Sequence, residues 1–232
     1  MTLLSICQDV LEEVGNFDVP DTIIGNTNDT AKQILALANR EGRLLSRRAD
    51  WEEMQTEHTF TTVASTETYS PPSDFRYLID GTLWDRTNYW ELRGPASPQE
   101  WQELKSGIIT EGTRKWIRFR LGTLYVHPVP TTTDNLVYEY VSKNWCQSSG
   151  SVGQTKWVAD DDTGVIDEEL MLAGIKWRWR AAKELPYAED YNEYESLVES
   201  AMARNGGTRV LNANGSNLGV NDAVNIPEGN FG

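Results

Sequence analysis

The apolar positions repeat first with a helical period, then with the alternation of strands, then helically again, and finally with no period at all. Leu3, Cys7, Val10, Leu11 and Val14 fall on one helical face, with Thr2 placed to cap its start and Gly15 to end it. After a loop carrying Pro20 and Gly25, a second helix is predicted from about Asn28 to Ala49. At ~100° per residue its Ile34, Ala38 and Leu45 cluster on one side, while Arg40, Arg43 and Arg47 cluster almost opposite. Such a helix packs on one face and is basic on the other.

From Trp51 to Trp157 the period shortens. Thr56–Val63 and Thr66–Tyr69 read as strands, followed by a Pro-containing break at Ser70–Asp74. Thr82–Asp85 and Tyr89–Leu92 flank Arg86–Asn88 as a hairpin. Ser97-Pro98-Gln99-Glu100 has the form of a capping box with Pro at the first helical position, so a short helix is predicted to about Ser106. Trp116–Leu121 and Leu124–His127 form a second hairpin about Gly122-Thr123, and Leu136–Val141 alternates as a further strand. Gln147–Gln154 reads as a flexible Ser/Gly loop. The whole middle is expected to be an antiparallel meander, folded as a sandwich or half-open barrel.

Helical spacing returns after Asp167, which can cap a third long helix with Glu168 and Glu169 at the positive end of its dipole. Leu170, Leu172, Ile175, Trp177, Trp179 and Ala181 make that helix apolar on most of its circumference, leaving a stripe of Lys176, Arg180 and Lys183. It reads as the central helix of a bundle. Pro186 ends it and starts a fourth, in which Tyr187, Tyr191, Tyr194, Val198 and Ala201 form one stripe and Asn205-Gly206-Gly207 is the stop. Neither helix pair makes a core alone. The predicted class is therefore α+β: a helical bundle of residues 1–50 with 165–205, an inserted antiparallel β region over 51–164, and an extended C-terminal arm over 206–232.

That arm is built of Asn and Gly with apolar residues scattered singly: Val210, Leu211, Leu218, Val220, Val224, Ile226 and Phe231. It buries too little apolar surface to offset a backbone ordering cost of roughly 1–2 kcal/mol per residue. A segment of this kind orders only against a partner, most simply another subunit, with its apolar side chains in separate pockets.

Composition narrows the class. The chain has 232 residues, enough for a proper core, and nine Trp. Its 21 basic and 35 acidic residues give a net charge of −14, spread along the chain. A field of that sign repels phosphate, which argues against a nucleic-acid reader and for a surface to which DNA does not adhere. Cys7 and Cys146 are expected as free thiols. Met1–Cys7 has no basic n-region, so no signal peptide is expected; no apolar run reaches membrane-spanning length, and a soluble protein made in the cytoplasm is the reading.

The chemistry of catalysis is sparse. His58 and His127 are the only histidines, and there is no Gly-rich phosphate loop, paired Cys or metal-spaced His, so neither an enzyme, a metal nor a cofactor is expected. Asp160-Asp161-Asp162 lacks the spacing and Gly of a calcium loop and reads as a solvated acidic turn. Two features keep a second meaning. Trp84, Tyr89, Trp90, Trp116 and Tyr125 sit in predicted strands or hairpins, where they are either core and interface aromatics or a platform for sugar rings. Arg40, Arg43 and Arg47 are either a solvated face or the partner of the next subunit's acidic face, a contact that closes a ring when repeated.

Several blocks, in order, carry a resemblance. They are Leu37-Ala38-Asn39-Arg40-Glu41-Gly42-Arg43, Ala49-Asp50-Trp51, Pro72-Ser73-Asp74-Phe75, Thr82-Leu83-Trp84-Asp85-Arg86, Leu92-Arg93-Gly94-Pro95 and Ser97-Pro98-Gln99-Glu100-Trp101. Tyr138-Glu139-Tyr140-Val141-Ser142-Lys143-Asn144-Trp145 and the Asp160–Asp162 run leading to Trp177-Arg178-Trp179 complete the set. Over roughly residues 1–200 the chain resembles the head-to-tail adaptors of tailed phages, the tail-tubular-A-like connectors of short-tailed viruses. The resemblance implies a non-enzymatic virion protein at the neck: a dodecameric ring docked beneath the portal protein, with the tail nozzle below and duplex DNA passing through without specific binding. It also implies a C-terminal extension on the portal, a role that falls here on the seven apolar residues from Val210 to Phe231. The competing class is a carbohydrate-binding tail module that uses the sheet aromatics.

Overall fold

The computed structural model describes residues 1–15, 19–107 and 114–205. Helix α1 (Leu3–Glu13) starts in a capping box: Ser5 N–H donates to Thr2 Oγ1 at 3.3 Å, and Thr2 N–H to Ser5 Oγ at 3.0 Å. Two further N–H groups of its first turn, on Leu3 and Leu4, donate to the carbonyls of Asp162 and Asp160 at 2.8 and 3.1 Å. Its buried face is Leu3, Ile6, Cys7, Val10 and Leu11; Val14 has moved into the cap, and Gly15 follows at φ 75°, where a side chain would be strained.

Helix α2 (Asp29–Leu45) is capped by Asn28, whose side-chain oxygen accepts from Thr30 N–H at 2.9 Å. It stops short of the predicted Ala49 because distant donors take its last carbonyls. Trp51 Nε1 donates to Leu45 O at 2.7 Å, and Arg76 Nη1 to Ser46 O at 2.5 Å. Helix α4 (Glu168–Ala182) is capped by Asp167 as predicted, and packs against α1, α2 and the last helix, α5 (Ala188–Arg204). It ends at Ala182 rather than Leu185, with Glu184 at φ 57°. Close packing against α4 depends on small residues: a Cβ on Gly174 would stand 2.3 Å from Glu41 Oε1.

The fourth helical stripe is buried unevenly. Tyr194 and Val198 are buried as expected, but Tyr187 and Tyr191 are 45% and 39% exposed. Asp190 turns inward instead, drawn by Arg180 Nη1 at 2.9 Å and Lys176 Nζ at 3.7 Å. The Tyr187 and Tyr191 rings lie against Trp177 at the margin, with centroids 6.3 and 5.2 Å away.

A 3-10 turn (Glu52–Met54) leads into the strands: β1 (Gln55–Thr61), β2 (Thr68–Tyr69), β3 (Phe75–Leu78), β4 (Trp84–Asp85) and β5 (Trp90–Glu91). Helix α3 (Pro98–Ser106) follows with the predicted capping box, Glu100 N–H to Ser97 Oγ at 3.2 Å and Ser97 N–H to Glu100 Oε2 at 2.8 Å. Then come β6 (Trp116–Arg120), β7 (Thr123–His127), β8 (Asn135–Ser142), β9 (Cys146–Gln147), β10 (Gly153–Gln154) and β11 (Thr163–Gly164). Three antiparallel sheets result: β1-β8-β4-β5 with β3 also on β8, β2-β7-β6, and β10-β9-β11.

These pairings are not a simple meander. The longest register joins β1 to β8, from Gln55↔Val141 to Thr61↔Asn135, across most of the insertion. Strand β8 is central, and Leu136, Val137, Tyr138, Tyr140, Val141 and Ser142 are all buried, so its apolar run is nearly continuous rather than alternating. Leu83, Ile117, Leu124, Val126 and Tyr138 form one core shared by the first two sheets. The third sheet replaces the loop predicted at Gln147–Gln154, with Gly153 paired to Gln147 and Ser148 N–H bonded to Val152 O at 2.9 Å. Its Cys146, with Trp145 and Trp157, belongs to the helical core. There Gly42 lets α2 meet the Trp145 ring, since a Cβ at that position would stand 2.2 Å from it.

Candidate functional site

The basic face of α2 forms one wall of a concave site. Arg40, Arg43 and Arg47 are all exposed, and Arg43 and Arg47 border a cavity of about 730 Å³. Three cations that the helical spacing did not single out complete it: Arg76 from β3, Lys143 after β8 and Lys156 beyond β10. Arg40 is not among its lining residues.

Each wall is fixed by local bonds. The Asp74 carboxylate accepts from Ser142 Oγ at 2.7 Å, and its carbonyl from Lys143 N–H at 2.7 Å, which clips the end of β8 to the start of β3. Asn39 Oδ1 accepts from Trp157 N–H at 3.1 Å and ties the Lys156 loop to α2. Arg76 reaches over the end of α2, a favourable place for a cation on the helix dipole. Burial and the nearby Arg47 cation lower its pKa, with Tyr77 and Asp50 acting in the opposite sense.

A second cavity, of about 900 Å³, lies between α3 and the β6–β7 hairpin. Trp90 and Trp116 line it together with Arg93, Glu103 and His127, and the Arg93 guanidinium sits 5.3 Å from the Trp116 ring centroid. The other sheet aromatics do not join them. Trp84 is half-buried, Tyr125 packs edge-on against Trp101 with centroids 6.2 Å apart, and Tyr89 is 83% exposed at φ 60°.

The acidic run is a correction to its reading as a solvated turn. Asp160 Oδ1 accepts from Ile23 N–H and Ile24 N–H at 3.1 and 2.8 Å. Asp162 is fully buried, and its Oδ2 accepts from Val158 N–H and Ala159 N–H at 2.6 and 2.9 Å. With the carbonyl bonds to α1, the run clasps three chain segments. Among the described residues no group of three or more His, Cys, Asp or Glu side chains could hold a metal ion. Cys7 and Cys146 are free and buried, and burial pushes both thiols up to about 12. No helix among the described residues is long and apolar enough to cross a membrane.

The titrating groups predict an acid-labile fold. Burial holds the His58 and His127 pKa values below the ordinary 6.5, with Lys105 adding to the effect at His127. Their contribution is complete above 6.5 and is lost as pH falls through the lowered folded values. Burial would raise Asp134, but hydrogen bonds from Lys115 at 2.5 Å, Thr132 and Asn88 outweigh it and leave the carboxyl below its ordinary 3.8. Asp134 therefore contributes above 3.8 and loses that contribution as pH falls further. Thermal midpoints taken from about pH 8 down to about pH 3 should decline in two stages. Substituting both histidines should remove the first stage.

Val210, Leu211, Leu218, Val220, Val224, Ile226 and Phe231 lie outside the described residues. The sequence missed Arg76, Lys143 and Lys156 because single basic residues on strands and loops carry no spacing signal; only their convergence is informative. No curated protein matches the sequence. A family model described as SU10 adaptor protein matches residues 1–218, and the chain belongs to that family.

Proposed function

We propose that this member of the SU10 adaptor family forms a ring that docks beneath the portal and presents a platform to the tail nozzle. The family match over residues 1–218 carries the reading. A structural head–tail adaptor belongs to the virion neck and has portal and tail proteins as its neighbours. In this proposal the N- and C-terminal helices form a bundle over 1–50 and 165–205, the β region of 51–164 is a sandwich-like insertion facing the nozzle, and 206–232 lies on the portal. Arg40, Arg43 and Arg47 face the next subunit. The net charge of −14 suits a ring around passing duplex DNA, because such a surface does not grip phosphates.

The test is the mass of the purified chain, alone and mixed with portal rings, by native mass spectrometry. Stoichiometric addition, about one copy per portal subunit for rings of matched symmetry, is the expected result. A chain that stays apart from the portal overturns it. A glycan-binding role has one observation in its favour, the shared cavity of Trp90 and Trp116. Glycan-array binding that is lost on Trp90→Ala, with no portal association, would put that role first.

A further inference from the structure

The cavity at the end of α2 has a charge unlike the rest of the chain. Although acidic residues outnumber basic ones 35 to 21, Arg43, Arg47, Arg76, Lys143 and Lys156 converge on it, and no carboxylate is among its described lining residues. The ion pairs among the described residues use other cations. Like charges around one volume raise each other's free energy until an anion enters. The cavity is therefore built for an anion.

Its shape selects among anions. Sites that follow a nucleic-acid backbone spread their cations along a groove, whereas these five border one open cavity of about 730 Å³. The same chain offers carboxylates of the right kind. At ~100° per residue, Glu189, Glu193 and Leu197 follow one line along the outer side of α5. All three are exposed, and neither Glu has an ion-pair partner within 4.0 Å among the described residues. Leu197 is 37% exposed on the same line. Unpaired carboxylates beside an unburied apolar side chain make up a surface that a partner covers.

We propose that the cationic cavity of one copy receives Glu189 and Glu193 of α5 from a second copy of this chain. The two surfaces share no residue, so every copy can give one and receive the other. That makes the contact heterologous, and repeating it chains copies head to tail. The inference rests on the adaptor reading and supplies the surfaces by which its subunits meet. Because both halves are solvent-exposed at their rims, the contact weakens with salt.

A charge-swap experiment on the full chain tests it, with copies assembled on portal rings and alone at raised concentration. Arg47→Glu with Lys143→Glu, and separately Glu189→Lys with Glu193→Lys, should each weaken copy–copy association by ~10-fold or more while leaving the thermal melt near wild type. An equimolar mixture of the two variants should recover pairwise association, since the unaltered cavity of one then meets the unaltered α5 of the other. Either variant assembling like wild type, or a mixture no better than its parts, overturns the proposal. So would a duplex oligonucleotide that binds wild type and not the Arg47→Glu/Lys143→Glu chain while assembly is unchanged, which assigns the cavity to phosphate. Wild-type copies that associate with each other and ignore the portal overturn the adaptor reading alone.

Discussion

Glu41→Ala is expected to cost about 3–5 kcal/mol of stability, the penalty for removing one member of a buried ion pair. Glu41 is fully buried in α2, where Arg178 Nε from α4 donates to Oε2 and Tyr194 OH from α5 donates to Oε1 at 2.6 Å. One carboxylate thus joins three helices, and Gly174 supplies the space that its side chain fills. Truncation leaves the Arg178 cation, only 11% exposed, without its anion, and it opens a hole beside Gly174. At roughly 2–4 °C per kcal/mol for a chain of this size, the thermal midpoint should fall by about 6–20 °C.

Two controls separate charge from packing. Tyr194→Phe removes one bond to the carboxylate and keeps the pair, and should cost only about 1.5–3 kcal/mol. Glu41→Met combined with Arg178→Met removes both charges, and should recover much of what Glu41→Ala loses. If the double variant is as unstable as Glu41→Ala, the penalty comes from packing rather than from the stranded cation.

Deleting residues 206–232 should leave the fold intact and reduce portal binding by ~100-fold or more, equivalent to about 2.7 kcal/mol. The fold survives because α5 is finished before the deletion point. Asn205 Nδ2 donates to Asp50 O at 2.7 Å, its Oδ1 accepts from Glu52 N–H at 2.8 Å, and its own N–H bonds to Ala201 O at 2.9 Å. Binding suffers because the removed segment carries Val210, Leu211, Leu218, Val220, Val224, Ile226 and Phe231, the side chains assigned to the portal. A midpoint unchanged to within ~1 °C, together with lost co-sedimentation with portal rings, is the expected pair of results. Undiminished co-sedimentation of the truncated chain would move the portal contact to another surface.

Helix starts were legible in the sequence because each is set within a few residues. Thr2, Ser97 and Asp167 cap where predicted, and Asn28, the expected start of the second helix, caps it, all with their oxygens on N–H groups two or three positions ahead. Both hairpins, β4–β5 and β6–β7, were legible for the same reason: their turns lie between adjacent runs. The α+β class followed from those elements together. Helix ends were less legible, since α2 stops where Trp51 and Arg76 arrive from elsewhere to take its carbonyls. Residues 147–154 looked like a loop because a two-residue strand carries no period, and pairing with Cys146 and Gln147 supplies what composition could not.

The basic site shows the same division. The spacing on α2 identified Arg43 and Arg47, yet Arg76, Lys143 and Lys156 join them only because β3, β8 and the loop beyond β10 are clipped to α2. The head–tail adaptor class was legible from block order over most of the chain, whereas the matching family is the SU10 adaptor one and not the tail-tubular-A-like group that the blocks suggested. By itself the sequence determined whatever depends on neighbours a few residues apart: helix caps, hairpin turns, one basic face and the acidic balance. Only the tertiary structure decided which carboxylate is buried with which cation, that Asp190 rather than Tyr191 turns inward, that β8 is the central strand, and where five cations meet. Those outcomes depend on which groups of separate elements reach the same buried position. The winner is set by desolvation and partner geometry, which exist only once the chain has closed.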